Sequence, residues 1–238
     1  MTNIELANLE QGSIEWKQAR AGIFTASRAA DGTAAKKQTK AQIAQGIFEE
    51  TAERSKYRTE LICEILTGQP YPHFVSQDMM WGSANEPFAR AAYELQQDVL
   101  VETCGLIMHP DIPRFGASCD GLIGKDGILE VKCPTTRTHL EWLMAGVVPT
   151  EHVPQMLAQM ACTGRQWVDF VSFDPRLPAH LQLFGRRFRR DEKLIDTLEN
   201  EVVHFTKELD EVLAALPQGP AQPIATLLEM PRVDELEF

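Results

Sequence analysis

The sequence predicts a mixed α/β fold, one domain over residues 1–214 followed by a Pro-rich acidic tail over 215–238. Three observations predict it. Helical periodicity dominates the first third, alternating apolar runs fill the middle, and a long amphipathic helix precedes the tail. At 238 residues the chain has room for one sizeable core without disulfide or metal staples.

The elements follow in order. AQIAQGIFEETAERSKYRTELICEILTG (41–68) fits one long helix or two short ones, stopped by Gly68 and Pro70. SANEPFARAAYELQQ (83–97) is a second helix, and Ser83-x-x-Glu86 at its start has the form of a capping box. Strands are expected at VLVETCGLIM (99–108), RFGASCDGLI (114–123) and GILEVKCP (127–134), separated by Pro- and Gly-containing turns. Helical patterns cover 136–146 and 154–163, with strands at WVDFVSFD (167–174) and HLQLFGRRFRR (180–190). The stretch 191–216 reads as a long acidic helix. No internal repeat is visible.

Composition narrows the function classes. The five cysteines form no C-x-x-C pair and the six histidines are scattered, so neither zinc nor a disulfide framework is expected. No run of 18 apolar residues suggests a membrane span, and the polar, acidic N-terminus lacks the marks of a signal peptide. A cytoplasmic protein with reduced thiols is expected. The net charge of −11 at first argues against nucleic acid, yet twelve acids against three basic residues lie in 191–238. Residues 17–58 instead hold nine Lys/Arg against four acids, and RRFRR at 186–190 adds a second basic cluster. Both are solvated surface or a polyanion-binding face.

The stretch GASCDGLIGKDGILEVKCP (116–134) carries Asp120, Glu130 and Lys132 among small and apolar residues. Charges in such a setting need a partner or a metal. Hairpin register decides whether they meet. A two-residue turn on Lys125-Asp126 pairs Gly121 with Glu130 and sends the two acids to opposite faces. A three-residue loop, Lys125-Asp126-Gly127, pairs Leu122 with Glu130 and Asp120 with Lys132, placing all three charges on one face. Gly127 in the third loop position favours the second register. Such a face either is a structural ion pair or supports metal-assisted phosphodiester hydrolysis. In the latter, two carboxylates hold Mg²⁺ and the lysine steadies or deprotonates the attacking water. Glu86 is a third carboxylate, unless it only caps its helix.

These residues resemble a known family, the phage lambda-type or alkaline exonucleases of the restriction-endonuclease-like nuclease superfamily. The resemblance runs in order through WKQARAGIFTAS (16–27), WGSANE (81–86), ASCDGL (117–122), LEVKCP (129–134), PQM (154–156) and FDPR (173–176), covering roughly 13–212. It implies a restriction-endonuclease-like core, a central mixed sheet flanked by helices. It also implies that Asp120, Glu130 and the Val131 backbone carbonyl bind the metal, with Glu86 a further candidate ligand. Mg²⁺ is the implied cofactor, and Mn²⁺ an accepted substitute. By the same resemblance Lys132 is the catalytic lysine, Gln155 orients the nucleophile with Gln159 as the competing choice, and Arg20, Ser27 and Ser118 grip a 5′-phosphate.

The implied activity is 5′→3′ degradation of one strand from double-stranded DNA ends to mononucleotides, leaving a 3′ single strand for recombination. Implied partners are DNA ends, two further copies in a trimeric ring, and a single-strand annealing recombinase; no membrane is expected. An endonuclease or resolvase with the same metal site, or a DNA-binding protein without activity, is the alternative. Trp16 and Trp81 are expected as core anchors, Cys119 and Cys133 as small packing residues. His139, His152 and RRFRR receive no role.

Overall fold

The computed structural model describes residues 1–34, 50–72 and 74–217. The first part of the expected 41–68 helix, Lys36, Lys37, Lys40 and the tail from 218 lie outside the described residues. Helices α1 (Asn3–Ala7) and α2 (Ile14–Arg20) lead to a short strand β1 (Phe24–Thr25), a single-turn helix α3 (Ala29–Gly32) and the longer α4 (Ala52–Thr67) and α5 (Gln77–Gln97). Strands β2 (Val101–Glu102), β3 (Ile107–Met108), β4 (Phe115–Ala117), β5 (Gly121–Ile123) and β6 (Gly127–Lys132) follow. After helices α6 (Thr136–Ala145) and α7 (Val153–Thr163) come β7 (Trp167–Phe173), β8 (Leu183–Arg189) and the last helix α8 (Glu192–Ala215).

The main sheet has the order β2-β5-β6-β7-β8, with β6 and β7 parallel and the other neighbours antiparallel. A second sheet, β1-β4-β3, joins β1 and β4 in parallel and β3 and β4 antiparallel. The α/β expectation is met. Strands β6 and β7 are covered on both faces, as parallel neighbours usually are. One face of β6 and β7 sends Ile128, Val168 and Phe170 into a core with Met156 and Met160 of α7 and Phe205 of α8. The other sends Leu129, Val131, Val171 and Phe173 against Ala89 and Tyr93 of α5.

Local chemistry explains most boundaries. Thr51 accepts the Arg54 N–H at 3.2 Å to start α4, and Gly68, at φ 68°, ends it. Pro154 lies in the first turn of α7, where its missing N–H is harmless, and Gly164 closes that helix.

Three expectations fail. Helix α5 begins at Gln77, with the Ser76 hydroxyl accepting the Met79 N–H at 3.2 Å, so Ser83 caps nothing and Glu86 sits mid-helix. The capping-box reading is overturned because a better cap lies two turns upstream. The runs at 99–108 and 114–123 are each broken into two short strands belonging to different sheets. Neither hairpin register is adopted either. Gly121 pairs with Leu129 and Ile123 with Gly127, leaving Gly124-Lys125-Asp126 as the loop. Gly124 takes the left-handed position at φ 51°, while Gly127 has another reason to lack a side chain: a Cβ there would meet the Trp167 ring at 2.2 Å.

Candidate active site

Continued one step, the observed register sets Asp120 opposite Glu130. The charges therefore do converge, by a different pairing from the one expected. Asp120 Oδ2 accepts the Val131 N–H at 2.7 Å, which ties the end of β5 to β6. Glu130 is fully buried, and its Oε1 pairs with Lys132 Nζ. Helix α7 supplies the remaining support. Gln159, itself fully buried, donates Nε2 to Glu130 Oε2 at 2.5 Å, and Gln155 Oε1 lies 3.4 Å from Lys132 Nζ. The two glutamines are one helical turn apart, and each holds one member of the ion pair. Both candidates for the assisting glutamine thus touch the cluster.

The electrostatics are those of an under-neutralised acid pair. Asp120 is only half-buried as a residue, yet burial of its carboxyl group holds its pKa well above the ordinary range, with the Glu130 charge adding to it. Lys132 and the Val131 N–H pull the other way without winning. On Lys132 burial opposes the charge, but Glu130 and Asp120 outweigh it and raise its pKa. One ammonium does not satisfy two crowded carboxylates. Oxygen donors of this kind suit a hard divalent cation, which would relieve the repulsion on Asp120.

Glu86 occupies the same neighbourhood but has a partner of its own, Arg90 Nη2 at 2.9 Å. Among the described residues, no group of three or more His, Cys, Asp or Glu is gathered closely enough to hold a metal. The acid pair, not a triad, is what the fold assembles. Arg90 escaped the sequence reading, although the helix expected over 83–97 runs through both residues and their i,i+4 spacing was a signal for the pair. Gln11 also escaped it. Its Nε2 donates to the Cys104 and Cys119 carbonyls at 2.8 and 2.7 Å, fixing the link that carries Asp120.

The residues expected to grip a 5′-phosphate are also brought together, in two linked halves. Arg20 Nη2 donates to Ser27 Oγ at 3.2 Å, and Ser118 Oγ accepts from Trp16 Nε1 at 3.0 Å. Trp16 joins the halves, because the Arg20 guanidinium lies 4.2 Å from the centre of its ring. A groove of about 1210 Å³ is lined by Trp16, Lys17, Met79, Glu86, Arg90 and Asp120 among others, so Trp16 and Asp120 border one cavity.

The other expectations divide. Cys119 and Cys133 are buried packing residues, as expected. Trp81, half-buried, packs against the core beneath α5 with the Arg176 guanidinium over its ring at 4.3 Å, whereas Trp16, also half-buried, belongs to the pocket and not to a core. His139 is structural, bonding Ser172 Oγ at 2.7 Å and the Leu181 carbonyl at 2.8 Å. His152 stacks on Phe170, and burial, with Lys132 nearby, lowers its pKa. In the RRFRR cluster, Arg187 is held by Asp169 at 2.8 Å and Arg190 by Glu192 at 2.7 Å. In the 17–58 region Arg28 pairs with Asp31 and Glu60, and Arg58 with Glu50 and Glu208. Much of both basic clusters is therefore neutralised within the chain.

Fold and site together give a mixed α/β core carrying a buried acid–lysine cluster, and the nuclease class follows from what that core is similar to. Residues 15–166 match the YqaJ-like viral recombinase domain, and the chain belongs to that family. Among solved structures it is similar to the alkaline exonuclease LHK-Exo from Laribacter hongkongensis, at 44% identity and a TM-score of 0.74, over 85% of this chain and 95% of that one. LHK-Exo in complex with dAMP gives a TM-score of 0.75 at the same identity and coverage. A phage-related exonuclease from Haemophilus somnus, at 16% identity, shares the fold with a TM-score of 0.61, over 81% of this chain and 95% of that one. No curated protein matches the sequence. The resemblance to the alkaline exonucleases is thereby borne out, and family and fold support a nuclease role. No helix among the described residues is long and apolar enough to cross a membrane.

Proposed function

We propose that the protein is a Mg²⁺-dependent exonuclease that degrades one strand of double-stranded DNA from its ends in the 5′→3′ direction. It releases mononucleotides and leaves a 3′ single strand for recombination. One observation carries this reading. Ser118 of the end pocket and Asp120 of the acid pair are separated by Cys119 alone, and two residues of chain reach at most about 7 Å. An end phosphate held at Ser118 therefore brings a bond close to the chain terminus beside Asp120. That geometry favours removal of one nucleotide at a time. The dAMP bound by LHK-Exo belongs to the class of product proposed here.

Asp120 and Glu130, with the Val131 carbonyl, are the groups that would hold Mg²⁺ or Mn²⁺. Glu86 stands by as a further acid once released from Arg90. The cation supplies polarisation of the phosphate and a more acidic water. The chain does the rest. Arg20 offers a planar fork of donors to a terminal phosphate, and Ser27 and Ser118 add hydroxyls. Gln155 and Lys132 face the attacking water, the first orienting it and the second countering developing charge. Because the two acids raise the pKa of Lys132, its resting form is the ammonium, which suits charge stabilisation better than proton abstraction.

The test compares linear and closed-circular duplex in Mg²⁺ and in EDTA, with 5′-phosphate and 5′-hydroxyl ends. Linear DNA with 5′-phosphates should be digested fastest, circular DNA not at all, and nothing in EDTA; Arg20→Ala should narrow the gap between the two kinds of end. Cleavage of circular DNA would point instead to an endonuclease or resolvase. Binding without any cleavage would point to a structural DNA-binding protein.

Self-association is the second part of the proposal. Met80, Phe88 and Leu95, at 55%, 66% and 87% exposure, with Ala84 and Ala91 between them, form one apolar stripe along α5. With a net charge of −11 and its arginines largely paired internally, one subunit has little electrostatic hold on DNA. Enclosure by a ring of three copies would supply processivity instead. Light scattering should give about three times the 26.7 kDa subunit mass. Excess unlabelled DNA should not stop strands already engaged. A monomer that releases DNA after a few nucleotides would remove this part and leave the active site untouched. The 3′ strand produced calls for a single-strand annealing recombinase as cytoplasmic partner.

A further inference from the structure

Trp16 lies on α2 one turn before Arg20, half-buried and facing the groove, and its contacts are with the end pocket on both sides. Its indole N–H donates to Ser118 Oγ at 3.0 Å, and its ring lies under the Arg20 guanidinium at 4.2 Å. Each contact has a chemical consequence. An indole nitrogen is a donor only, so a serine hydroxyl that accepts from it keeps its own proton free to point elsewhere. Ser118 is thereby fixed as a hydrogen-bond donor, the form an anionic phosphate needs. Arg20 has several rotatable bonds, and a flat ring beneath its guanidinium limits the plane that the fork can adopt. Ser27 then takes up one Nη of that fork at 3.2 Å, and Thr25 Oγ1 lies 3.3 Å from the Ser27 hydroxyl.

We infer that Trp16 is a positioning residue that makes the pocket selective for a terminal phosphate, acting through Arg20 and Ser118 together. This rests on the reading of Arg20, Ser27 and Ser118 as an end pocket. It goes beyond that reading by naming what gives the pocket its selectivity. A packing residue alone would not be joined to both halves of the pocket, by a hydrogen bond to one and a cation–π contact to the other.

Two variants separate the contacts. Trp16→Phe keeps a ring beneath Arg20 and removes the donor to Ser118, whereas Trp16→Leu removes both. The readout is the ratio of KM-limited rates on 5′-phosphorylated and 5′-hydroxyl linear duplex. It is paired with fluorescence anisotropy of the same duplexes in EDTA, where no turnover intrudes. The preference for phosphate should fall about threefold in Trp16→Phe and about tenfold or more in Trp16→Leu. The loss should appear in KM and in anisotropy, with kcat retained. If either variant that melts normally loses rate equally on both kinds of end, or keeps the wild-type ratio, Trp16 is only a packing residue and the inference is overturned. If the wild-type protein itself does not distinguish the ends, the pocket reading fails and takes this inference with it.

Discussion

Replacing Glu130 by Gln should abolish strand degradation, by about a thousandfold or more, while the protein still folds and binds duplex ends. The substitution keeps the size of the side chain and removes a charge that a divalent cation needs. Losing one carboxylate of a two-carboxylate site is worth several kcal/mol of charge stabilisation, and about 4 kcal/mol is a factor of a thousand. Glu130→Ala should be equally inactive but is the harsher structural change, because it leaves the buried amide of Gln159 and the ammonium of Lys132 facing a void. A melting curve for Glu130→Gln within a few degrees of wild type would separate lost chemistry from lost structure. Retained degradation in that variant, or wild-type degradation in EDTA, would sink the metal mechanism.

Lys132→Met should cut single-turnover hydrolysis by about a hundredfold to a thousandfold, the loss seen when one preorganised donor is removed from a developing charge. Affinity for DNA should change little, since the lysine acts on the transition state more than on the bound duplex. Removing it also leaves Asp120 and Glu130 less compensated, so cation affinity should hold or rise. Anisotropy in EDTA and quenched-flow hydrolysis in Mg²⁺ read the two quantities separately. Normal turnover in Lys132→Met would make the Glu130–Lys132 contact a structural ion pair and nothing more.

How far the sequence foretold this site depended on the range of the physics involved. Glu130 and Lys132 lie two apart on one strand, so their shared face followed from strand geometry alone. The partner of that strand was harder. Gly124 and Gly127 both suit a hairpin loop, and only the fold shows that Gly124 takes the left-handed position while Gly127 makes room for Trp167, forty residues on in the chain. Short strands hid for a related reason. The runs at 99–108 and 114–123 have the apolar content of single strands, but each is shared between two sheets, and that division is set by tertiary packing. Glu86 was misplaced because Ser83-x-x-Glu86 is a sound local cap pattern, and nothing nearby in sequence says that Ser76 starts the helix first. The family resemblance supplied Arg20, Ser27 and Ser118, which are scattered along the chain and show no local pattern. Gln11 acts through contacts that neither propensity nor motif exposes, whereas Arg90 stands at i,i+4 from Glu86 on the expected helix and could have been read as its partner.

The pair of glutamines on α7 has a mechanical consequence. Gln155 steadies Lys132 and Gln159 steadies Glu130 from a single rigid rod, so a small tilt of that rod moves carboxylate and ammonium in the same direction. Between them, Met156 is fully enclosed, and one residue beyond Gln159 so is Met160. Methionine is a soft, adaptable filler. Trimming or swelling those two thioethers would shift the angle at which the rod sits, and a change made deep in the hydrophobic interior would register as a change in how fast DNA is cut.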